Sequence, residues 1–378
     1  MPSMTCALVE RLQTIADPRR QSENLKHPLV DLIMLGFCGV LAGCDDFVEI
    51  ADWGKINEAF FRSFLELPHG IASHDTFTRV FAVLQPTTLQ AVLLPWLRER
   101  RGVPGDWIHL DGKTLRQTRR RTQRLKALHV VSAWAGQTGI TLGQVAVAAK
   151  SNEITAMPQL LELLDLRDKI VTTDAMGCQK AIAETIVDGG GDYILAVKDN
   201  QPTLHAEIQA AFAQAAPPPP RSARGYRTEE KGHGRQERRT VQVLPVRGHL
   251  SAAQGAAWLG VLTVVMVTRV VWCEATGVGS TEVSYFLSSL RPNARRIGRA
   301  IRGHWSIENG LHWVLDVVFR EDARRVYDRT AAENVAFLNR LALSLLRGDT
   351  GKSSMKVKRK RAGWSIPYLA QLLGFHST

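Results

Sequence analysis

Apolar residues recur every three or four positions through most of the first hundred residues, and this spacing predicts helices. The stretch HPLVDLIMLGFCGVLAG (27–43) is apolar on nearly every side, with Pro28 near its start and Gly43 near its end, as in a buried helix. Further segments with helical spacing follow at 46–65, 73–85 and 87–100. We therefore predict a helical N-terminal domain at residues 1–104.

From residue 105 the pattern changes to short runs of β-branched and aromatic residues bounded by glycine or charge, which predict strands. Such runs lie at 106–113, 127–135, 142–150, 169–177 and 192–200. Helical segments at 154–166 and 178–190 separate the last three of them. Three successive strands followed by alternating helices and strands predict an α/β domain, a mixed sheet with helices packed on it, at residues 105–200.

Beyond residue 200 the pattern predicts first an exposed loop and then more strands. The stretch 212–237 is rich in proline, glycine and charge. Three apparent strands follow it at 238–246, 257–272 and 281–290. We predict a β-rich insertion at 201–290, helices of the core at 291–348 and a basic C-terminal tail at 349–378.

One face of the helix predicted after residue 290 carries a carboxylate among apolar side chains. At the spacing of a helix face lie Ile301, Trp305, Glu308, His312, Leu315 and Phe319. A buried carboxylate without a partner is costly, so Glu308 is expected to bind a metal ion or to pair with Arg299 or Arg302. The tryptophans of this helix, Trp305 and Trp313, are expected in the core.

Two aspartates end predicted strands. Asp111 follows the apolar run WIHL, and Asp174 follows KIVTT. Ligands of open α/β sheets lie at the carboxyl ends of the strands, so these aspartates and Glu308 are candidates to converge on one point. Ordinary turns are the alternative for both aspartates. The rivals of Glu308 as the third acid are Asp316, Glu321 and Asp322.

Converging carboxylates repel one another unless a cation lies between them. Carboxylate oxygens favour Mg²⁺ or Mn²⁺, and two such ions about 4 Å apart can activate the attacking oxygen and stabilise the leaving oxygen in phosphoryl transfer. The expected cofactor is therefore Mg²⁺, as two ions, with Mn²⁺ as a substitute. Zinc bound by the run His304-x3-Glu308-x3-His312 is the less favoured alternative.

The excess of basic residues indicates which kind of partner the protein binds. The 378 residues include 48 lysines and arginines against 36 acidic residues, a net charge of +12. The basic residues cluster at 116–126, 291–302 and 356–361. Such clusters usually bind phosphate backbones, so we expect a nucleic-acid partner, with a solvated basic surface as the alternative. Side chains near the acids that could contact DNA phosphate are Lys113, Arg116, Lys198, Arg302, His304 and His312.

The sequence predicts neither a signal peptide nor a membrane span. The N-terminus MPSMTCALVERLQ lacks an apolar stretch behind basic residues, and the longest apolar runs are broken by charge or are better explained as core elements. The five cysteines are scattered without a CxxC pair, unlike a zinc knuckle or a disulfide framework. We expect a cytoplasmic protein with no membrane partner, in which Cys178 is not a nucleophile.

Several motifs, in order along the chain, resemble those of the DDE transposases of bacterial insertion sequences. They are HLDGKTLR, KSNEITAMPQLLELLDL, VTTDAMGCQKAIAETI, GDYILAVKDNQPTL and HWSIENGLHWVLDVVFREDARRV, with DPRR and ASHDTFTRVF before them and KRKRAGW after them. The nearest group is the ISAs-one, or H-repeat-associated, family. The resemblance implies an RNase H-like catalytic core, a β-rich insertion before the last catalytic helix, and a metal-binding triad of Asp111, Asp174 and Glu308.

One signature of the wider group is absent. Many relatives carry Tyr-x2-Arg-x3-Glu-x6-Lys around the last acid, and the corresponding positions here hold Ile301, His304 and Leu315. The roles of the missing side chains are then absent or are taken by neighbours such as Arg302, His304 or His312. We do not assign hairpin-forming chemistry to this chain.

The resemblance implies a bacterial transposase that cuts double-stranded DNA at the ends of its element and joins the freed 3′-hydroxyl to target DNA. An inactive DNA-binding relative and a nuclease without strand transfer are the alternatives. The helical N-terminal region is the candidate reader of the ends, and the insertion and basic tail would add phosphate contacts. Pairing of two ends requires at least a homodimer. When it is bound to DNA, the protein is expected at the nucleoid.

Overall fold

The computed structural model describes residues 7–20, 25–102, 105–119, 126–148, 151–219, 222–232, 234–273 and 277–375. Part of the first basic cluster, 120–125, lies outside these residues. Within them the protein combines fifteen α-helices with one nine-stranded mixed sheet. No single described helix is long and apolar enough to cross a membrane, and one helix pair, bent by 95°, meets the length and composition required only when its members are taken together.

In the described residues before 105, six helices precede the first strand. They are α1 (Ala7–Leu12), α2 (Leu29–Ala42), α3 (Phe47–Ile56), α4 (Glu58–Phe61), α5 (His74–Val83) and α6 (Pro86–Arg101). Twelve of the fourteen residues of α2 are buried, in agreement with its nearly continuous apolar sequence. Gly43 ends α2 in the left-handed region, at φ 104°, where a side chain would be strained. The Asp46 carboxylate then caps α3 by accepting the Glu49 N–H.

The next segment alternates between strands and helices, as predicted. Its elements are β1 (Trp107–Leu115), β2 (Leu128–Ala135), β3 (Ile140–Ala146), α7 (Glu153–Glu162), β4 (Ile170–Thr173), α8 (Lys180–Asp188), β5 (Asp192–Val197) and α9 (Pro202–Gln214). β1, β4 and β5 run parallel, whereas β2 is antiparallel to β1 and β3 is antiparallel to β2. The order β3-β2-β1-β4-β5 makes β1, which contains Asp111, and β4, which Asp174 follows, direct neighbours.

The predicted insertion is a meander of four strands that extends the same sheet. It comprises β6 (Gly225–Gly232), β7 (Arg235–Pro245), α10 (Ala252–Ala257), β8 (Thr263–Cys273) and β9 (Gly279–Ser288). β9 pairs with β5, and the sheet continues as β9-β8-β7-β6. The prediction of an exposed loop at 212–237 is wrong at Gly225–Gly232, where β6 forms. Its charged residues pair across the hairpin, as Glu229 does with Arg238 at 3.0 Å, so a strand there needs few apolar positions.

The described chain after β9, up to residue 375, is mainly helical. It forms α11 (Ala294–Ile307), a π-helical turn (Glu308–His312), α12 (Trp313–Val317), α13 (Arg329–Leu346), α14 (Met355–Trp364) and α15 (Ile366–Leu373). Fifteen of the eighteen residues of α13 are buried. This helix contacts α2, α5 and α6 as well as β2 and β3, so it joins the N-terminal helices to the sheet.

The main hydrophobic core includes residues from Leu8 to Phe375. Asn334 of α13 links this core to the N-terminal helices. The Asn334 Nδ2 donates to the carbonyls of Phe81 (2.9 Å) and Leu84 (2.7 Å). The described residues of the segments 1–104 and 349–378 therefore pack into the same core as the sheet. A second, smaller core lies between the insertion strands and α11.

The basic C-terminal segment differs from the solvated tail that its composition predicts. α14 packs on α2, and Lys358 and Arg359 are buried. Arg359 donates to the carbonyls of Val40 (3.2 Å) and Val318 (2.7 Å), and its guanidinium lies over the ring of Phe319. The expectation of phosphate contacts is wrong for these two residues, because buried cations with several acceptors are already satisfied.

Candidate metal centre

Two parallel strands bring the first two acids together. Leu110 of β1 pairs with Thr173 of β4 in parallel register, and each is followed directly by an aspartate, Asp111 and Asp174. Asp174 follows the end of β4, as predicted. The prediction that Asp111 ends its strand is wrong, because β1 continues to Leu115 in pairing with β2 after β4 has ended. Because the two strands are neighbours that run in one direction, both carboxylates stand at the same edge of the sheet. Both line one cleft of about 690 Å³.

The third acid comes from the helix that crosses this edge. α11 packs on β1, β4 and β5, and its end continues as the π-helical turn, in which the Trp313 N–H donates to the Glu308 carbonyl. Turns of this kind are frequent at functional sites. Glu308 lines the same cleft as Asp111 and Asp174.

His312 lies between two of these acids. Its Nδ1 is 3.3 Å from Asp111 Oδ2 and 3.9 Å from Glu308 Oε2. Ligand atoms of the three residues all lie within 4.8 Å of one another, the only such group of acidic, histidine and cysteine side chains in the described parts of the chain. His312, for which the sequence suggests a DNA contact, is thus buried against the acids.

The closeness of the acids changes their protonation. Burial raises the pKa of Asp111 to about 8, and the charges of Glu308 and Asp174 add to the effect. Burial also raises the pKa of Asp174, although the hydrogen bond donated by the Gly177 N–H lowers it in part. A hydrogen bond with His312 lowers the pKa of Glu308. A divalent cation would offset this repulsion, so carboxylates together with one imidazole make a donor set that fits such an ion.

The stability of the metal-free protein is expected to fall as the pH rises from 6 to 8. The folded pKa of Asp111, about 8, lies above the ~3.9 of an unfolded aspartate. The folded state therefore keeps this proton where the unfolded state has lost it, and the resulting preference for folding is lost as the pH approaches 8. Asp111→Asn should be more stable than the wild type at pH 8, by on the order of 1 kcal/mol, with a flatter pH dependence.

Urea unfolding in EDTA at pH 6, 7 and 8 measures this difference. Asp52→Asn, on the exposed surface of α3, is the matched control and should follow the wild type at every pH. An Asp111→Asn protein that is less stable than the wild type at pH 8 would contradict the raised pKa of Asp111.

His304, which is half-buried, belongs to a chain of polar groups at the wall of the cleft, and Thr172 lines the cleft with it. The His304 Nδ1 lies 2.8 Å from Thr172 Oγ1, which lies 2.7 Å from His109 Nδ1. Burial lowers the pKa of His304 to about 4 and that of His109 to about 3, so both rings are neutral near pH 7. Sequence reasoning missed His109 and Thr172. Each lies two residues before an aspartate, and strand alternation predicts a shared face.

The rival acids and Lys113 form a separate buried network. The Lys113 ammonium lies 2.6 Å from Asp316 and 3.0 Å from Asp322, and only 7% of its side chain is exposed. Glu321 pairs with Arg340 at 2.9 Å. Lys113 is therefore not available to DNA phosphate, and each of the three rivals of Glu308 already has a cationic partner.

The other predicted DNA contacts are exposed. Lys198 lines the cleft beside the acids. Arg116 lies 3.2 Å from Asp322 and keeps 78% of its side chain exposed. Arg302 pairs with Glu230 at 3.0 Å rather than with Glu308, so the salt bridge considered for that acid is not formed.

Two expectations about neighbouring side chains have opposite outcomes. Trp305 and Trp313, expected in the core, are 45% and 57% exposed. Trp305 precedes the π-helical turn, lines the cleft and has the Arg269 guanidinium over its ring. Cys178 is buried, which raises the pKa of its thiol to about 12. This agrees with the prediction that it is not a nucleophile.

Comparisons with known proteins find relatives along nearly the whole chain. A family model described as "Transposase DDE domain" matches residues 105–345, and one described as "DDE_Tnp_1-associated" matches residues 9–97. The chain is 36% identical to "Putative transposase YncI" of Escherichia coli O157:H7, over 97% of this chain and 94% of that protein. It is 36% identical to "H repeat-associated putative transposase YhhI" of Escherichia coli K12, over 97% of each. Among solved structures, the piggyBac transposase synaptic complex with hairpin DNA aligns with a TM-score of 0.42 and 10% identity, over 98% of this chain and 79% of that one.

Proposed function

The chain belongs to the DDE transposase family, and from that premise we propose that it is the transposase of a bacterial insertion sequence. It would bind the ends of its element in the cytoplasm, cut the DNA there and transfer the freed 3′ ends to target DNA. The observation that carries this proposal is the single cleft lined by Asp111, Asp174 and Glu308.

These three acids would hold two Mg²⁺ ions, with Mn²⁺ as a substitute. Such ions supply charge stabilisation at the reacting phosphate and make the attacking oxygen a stronger nucleophile. Asp111 has to release its proton before it can act as a ligand. His312, beside both Asp111 and Glu308, would orient the two carboxylates.

The arrangement of the sheet supports an RNase H-like core. Three antiparallel strands, β3-β2-β1, are followed across the sheet by the parallel strands β4 and β5. The insertion enters after β5 and α9, and the chain returns to the core as α11, the helix that brings Glu308. The family resemblance implies the same sequence of elements.

Double-stranded DNA would approach the cleft along exposed cations. Lys198 lies within the cleft, and α11 presents exposed arginines that lead toward it, namely Arg295, Arg296, Arg299 and Arg302. Their phosphate contacts would position the DNA without reading its sequence. The N-terminal helices are the proposed reader of the element ends, and a homodimer or larger assembly would hold two ends together.

The test is an assay with a DNA fragment that carries both ends of the element and a second, unrelated target DNA. The full-length protein is expected to cut at the element boundaries and to produce joined end–target molecules in Mg²⁺ or Mn²⁺, and neither product in EDTA. A fragment of equal length with scrambled ends is the control.

Each alternative gives a different pattern in this assay. Cuts at the ends without joined products would favour a nuclease that lacks strand transfer. Binding of the ends without any cut, in either metal, would favour an inactive DNA-binding relative. If the scrambled fragment is cut as often as the element, cleavage does not depend on the sequence of the element ends, and that part of the proposal is wrong.

A further inference from the structure

A line of three polar side chains runs from the core to the wall of the candidate metal centre. His109 of β1 and Thr172 of β4 are paired residues of neighbouring parallel strands. Thr172 Oγ1 lies 2.7 Å from His109 Nδ1 and 2.8 Å from His304 Nδ1. His109 and Thr172 are buried, whereas His304 is half-buried and lines the cleft with Glu308. The Thr172 hydroxyl therefore joins a ring in the core to a ring at the cleft.

This hydroxyl couples the protonation of the two rings. A hydroxyl group carries one hydrogen, so Thr172 donates to one of the two Nδ1 atoms and accepts a hydrogen bond from the other. Burial lowers the pKa of His109 to about 3 and that of His304 to about 4, so each ring is neutral near pH 7 and carries one hydrogen. The direction of the Thr172 hydrogen bond therefore determines which nitrogen of His304 is protonated.

The buried end of the line favours one direction. His109 Nε2 is enclosed and has no hydrogen-bond partner among the described residues. A buried N–H without an acceptor is rarer than a buried acceptor without a donor, so the hydrogen of His109 is assigned to Nδ1. His109 Nδ1 then donates to Thr172 Oγ1, and Thr172 donates to His304 Nδ1. The hydrogen of His304 is left on Nε2.

The Nε2 atom of His304 is open to the cleft. It makes no hydrogen bond to the residues that the structure describes, and it is not among their buried atoms that lack a partner, so solvent reaches it. His304 lies one helical turn before Glu308. The line of side chains thus presents one neutral N–H group beside the acids, held at its other nitrogen by a buried threonine.

We propose that His304 donates a hydrogen bond from Nε2 to a non-bridging oxygen of the DNA phosphate that is cut, and that Thr172 and His109 are positioning residues that fix the ring in this state. This inference rests on the proposed function and deepens it. In phosphoryl transfer the non-bridging oxygens carry charge in the transition state. A donor that is already fixed in the cleft stabilises this charge without having to reorganise.

The protonated nitrogen is tested first, in the full-length protein in EDTA without DNA. Nitrogen-15 NMR with labelled histidine distinguishes a protonated Nε2 from a protonated Nδ1, and comparison with His304→Phe identifies the signals of His304. We expect the Nε2–H form in the wild type and in Thr172→Ser, which keeps the hydroxyl, and a mixture of forms in Thr172→Val. The Nδ1–H form in the wild type would overturn the proposal, whether or not the protein cuts DNA.

Single-turnover cleavage in Mg²⁺ measures the effect on the reaction. Loss of a hydrogen bond to a charged group corresponds to about tenfold to a hundredfold in rate. His304→Phe should be slowed by this factor while it still binds the element ends. Thr172→Val should be slowed in the same direction, and Thr172→Ser should cut nearly as fast as the wild type. Thr141→Val is the matched control and should cut as the wild type does, because the hydroxyl of this buried strand residue has no partner among the described residues.

Sulfur substitution distinguishes a phosphate contact from a purely structural role. Two DNA isomers are compared, each with sulfur at a different non-bridging oxygen of the phosphate that is cut. One isomer should slow the wild type more than it slows His304→Phe, because that variant has no hydrogen bond left to lose, and the other should slow both proteins equally. Equal slowing of the two proteins by each isomer would overturn the proposal.

Asp111→Asn separates this inference from the function on which it rests. If Asp111→Asn loses cleavage while His304→Phe and Thr172→Val cut as the wild type does, the metal centre stands and the role of His304 is wrong. If the wild type cuts no DNA in either metal, the proposed function is wrong, and the role of His304 in cleavage is wrong as well.

Discussion

Asp111→Asn, Asp174→Asn and Glu308→Gln are each expected to reduce DNA cleavage by about a thousandfold or more, while binding of the element ends is retained. A bound cation stabilises the charge on the reacting phosphate by several kcal/mol, and 1.36 kcal/mol corresponds to tenfold in rate. Each substitution keeps the size of the side chain and removes its charge, so the cleft keeps its shape. Single-turnover cleavage in Mg²⁺ and gel-shift binding in EDTA measure the two properties separately.

Asp316→Asn is the matched control for the third acid. Asp316 lies on the helical segment that follows Glu308, but its carboxylate is 2.6 Å from the Lys113 ammonium. Cleavage should therefore survive in Asp316→Asn. If Glu308→Gln cleaves as the wild type does and Asp316→Asn does not, the triad is wrong at its third member.

Arg340→Ala is expected to destabilise the protein by about 3–5 kcal/mol. Arg340 is fully buried in α13 and donates to Glu321 Oε1 and Ser132 Oγ, each at 2.9 Å. Removing it leaves the Glu321 carboxylate buried and without its guanidinium partner. The effect should also reach the cleft of the candidate metal centre, because Ser132 is the residue of β2 that pairs with Asp111. Urea unfolding at pH 7 measures the free energy.

A double variant separates loss of the ion pair from loss of packing. Arg340→Met combined with Glu321→Leu should recover most of the stability, since no unpaired charge is left in the core. The exposed Arg325→Ala should change the free energy of unfolding by less than about 0.5 kcal/mol. An Arg340→Ala protein as stable as Arg325→Ala would mean that the buried pair contributes little to folding.

The sequence predicted the elements of the sheet because its strands carry their own pattern. β4 and β5 are short apolar runs that end in charge or glycine, and the structure has strands at these positions. β1 begins as such a run but continues through Asp111 and Gly112 to Leu115. The placement of Asp111 and Asp174 follows from the same signal, since both directly follow buried strand residues. What the pattern could not show is that β1 and β4 are neighbours, which depends on the topology of the whole sheet.

Charged residues were the weakest part of the prediction, since composition does not report which cations are buried. Lys113 was predicted to contact DNA and Arg359 lies in a basic cluster, yet both are enclosed by acceptors from distant parts of the chain. β6 was missed for a related reason, because its charges pair across a hairpin. These contacts join distant segments of the folded chain, so the local spacing of residues does not predict them.

The prediction of one six-residue face on the helix that carries Glu308 was only half correct. Ile301 belongs to the smaller core with the insertion, whereas Leu315 and Phe319 belong to the main core. A regular helix would place all three in one stripe. The π-helical turn between Ile301 and Leu315 changes the direction of the apolar face, so that residues before it pack in the smaller core and residues after it pack in the main core. Glu308 is the first residue of this turn.

That turn also constrains how the chain can change in length. It contains one residue more than an α-helix of the same rise, so deletion of one residue between 309 and 311 would restore a regular α-helix and leave α12 in nearly the same phase. Such a deletion would still change the four-residue spacing of Glu308 and His312. Insertion of a further residue would instead rotate α12 by about 100° relative to α11, which would turn Asp316 away from Lys113 and take Leu315 out of the core. The residue count of this segment is therefore part of the site.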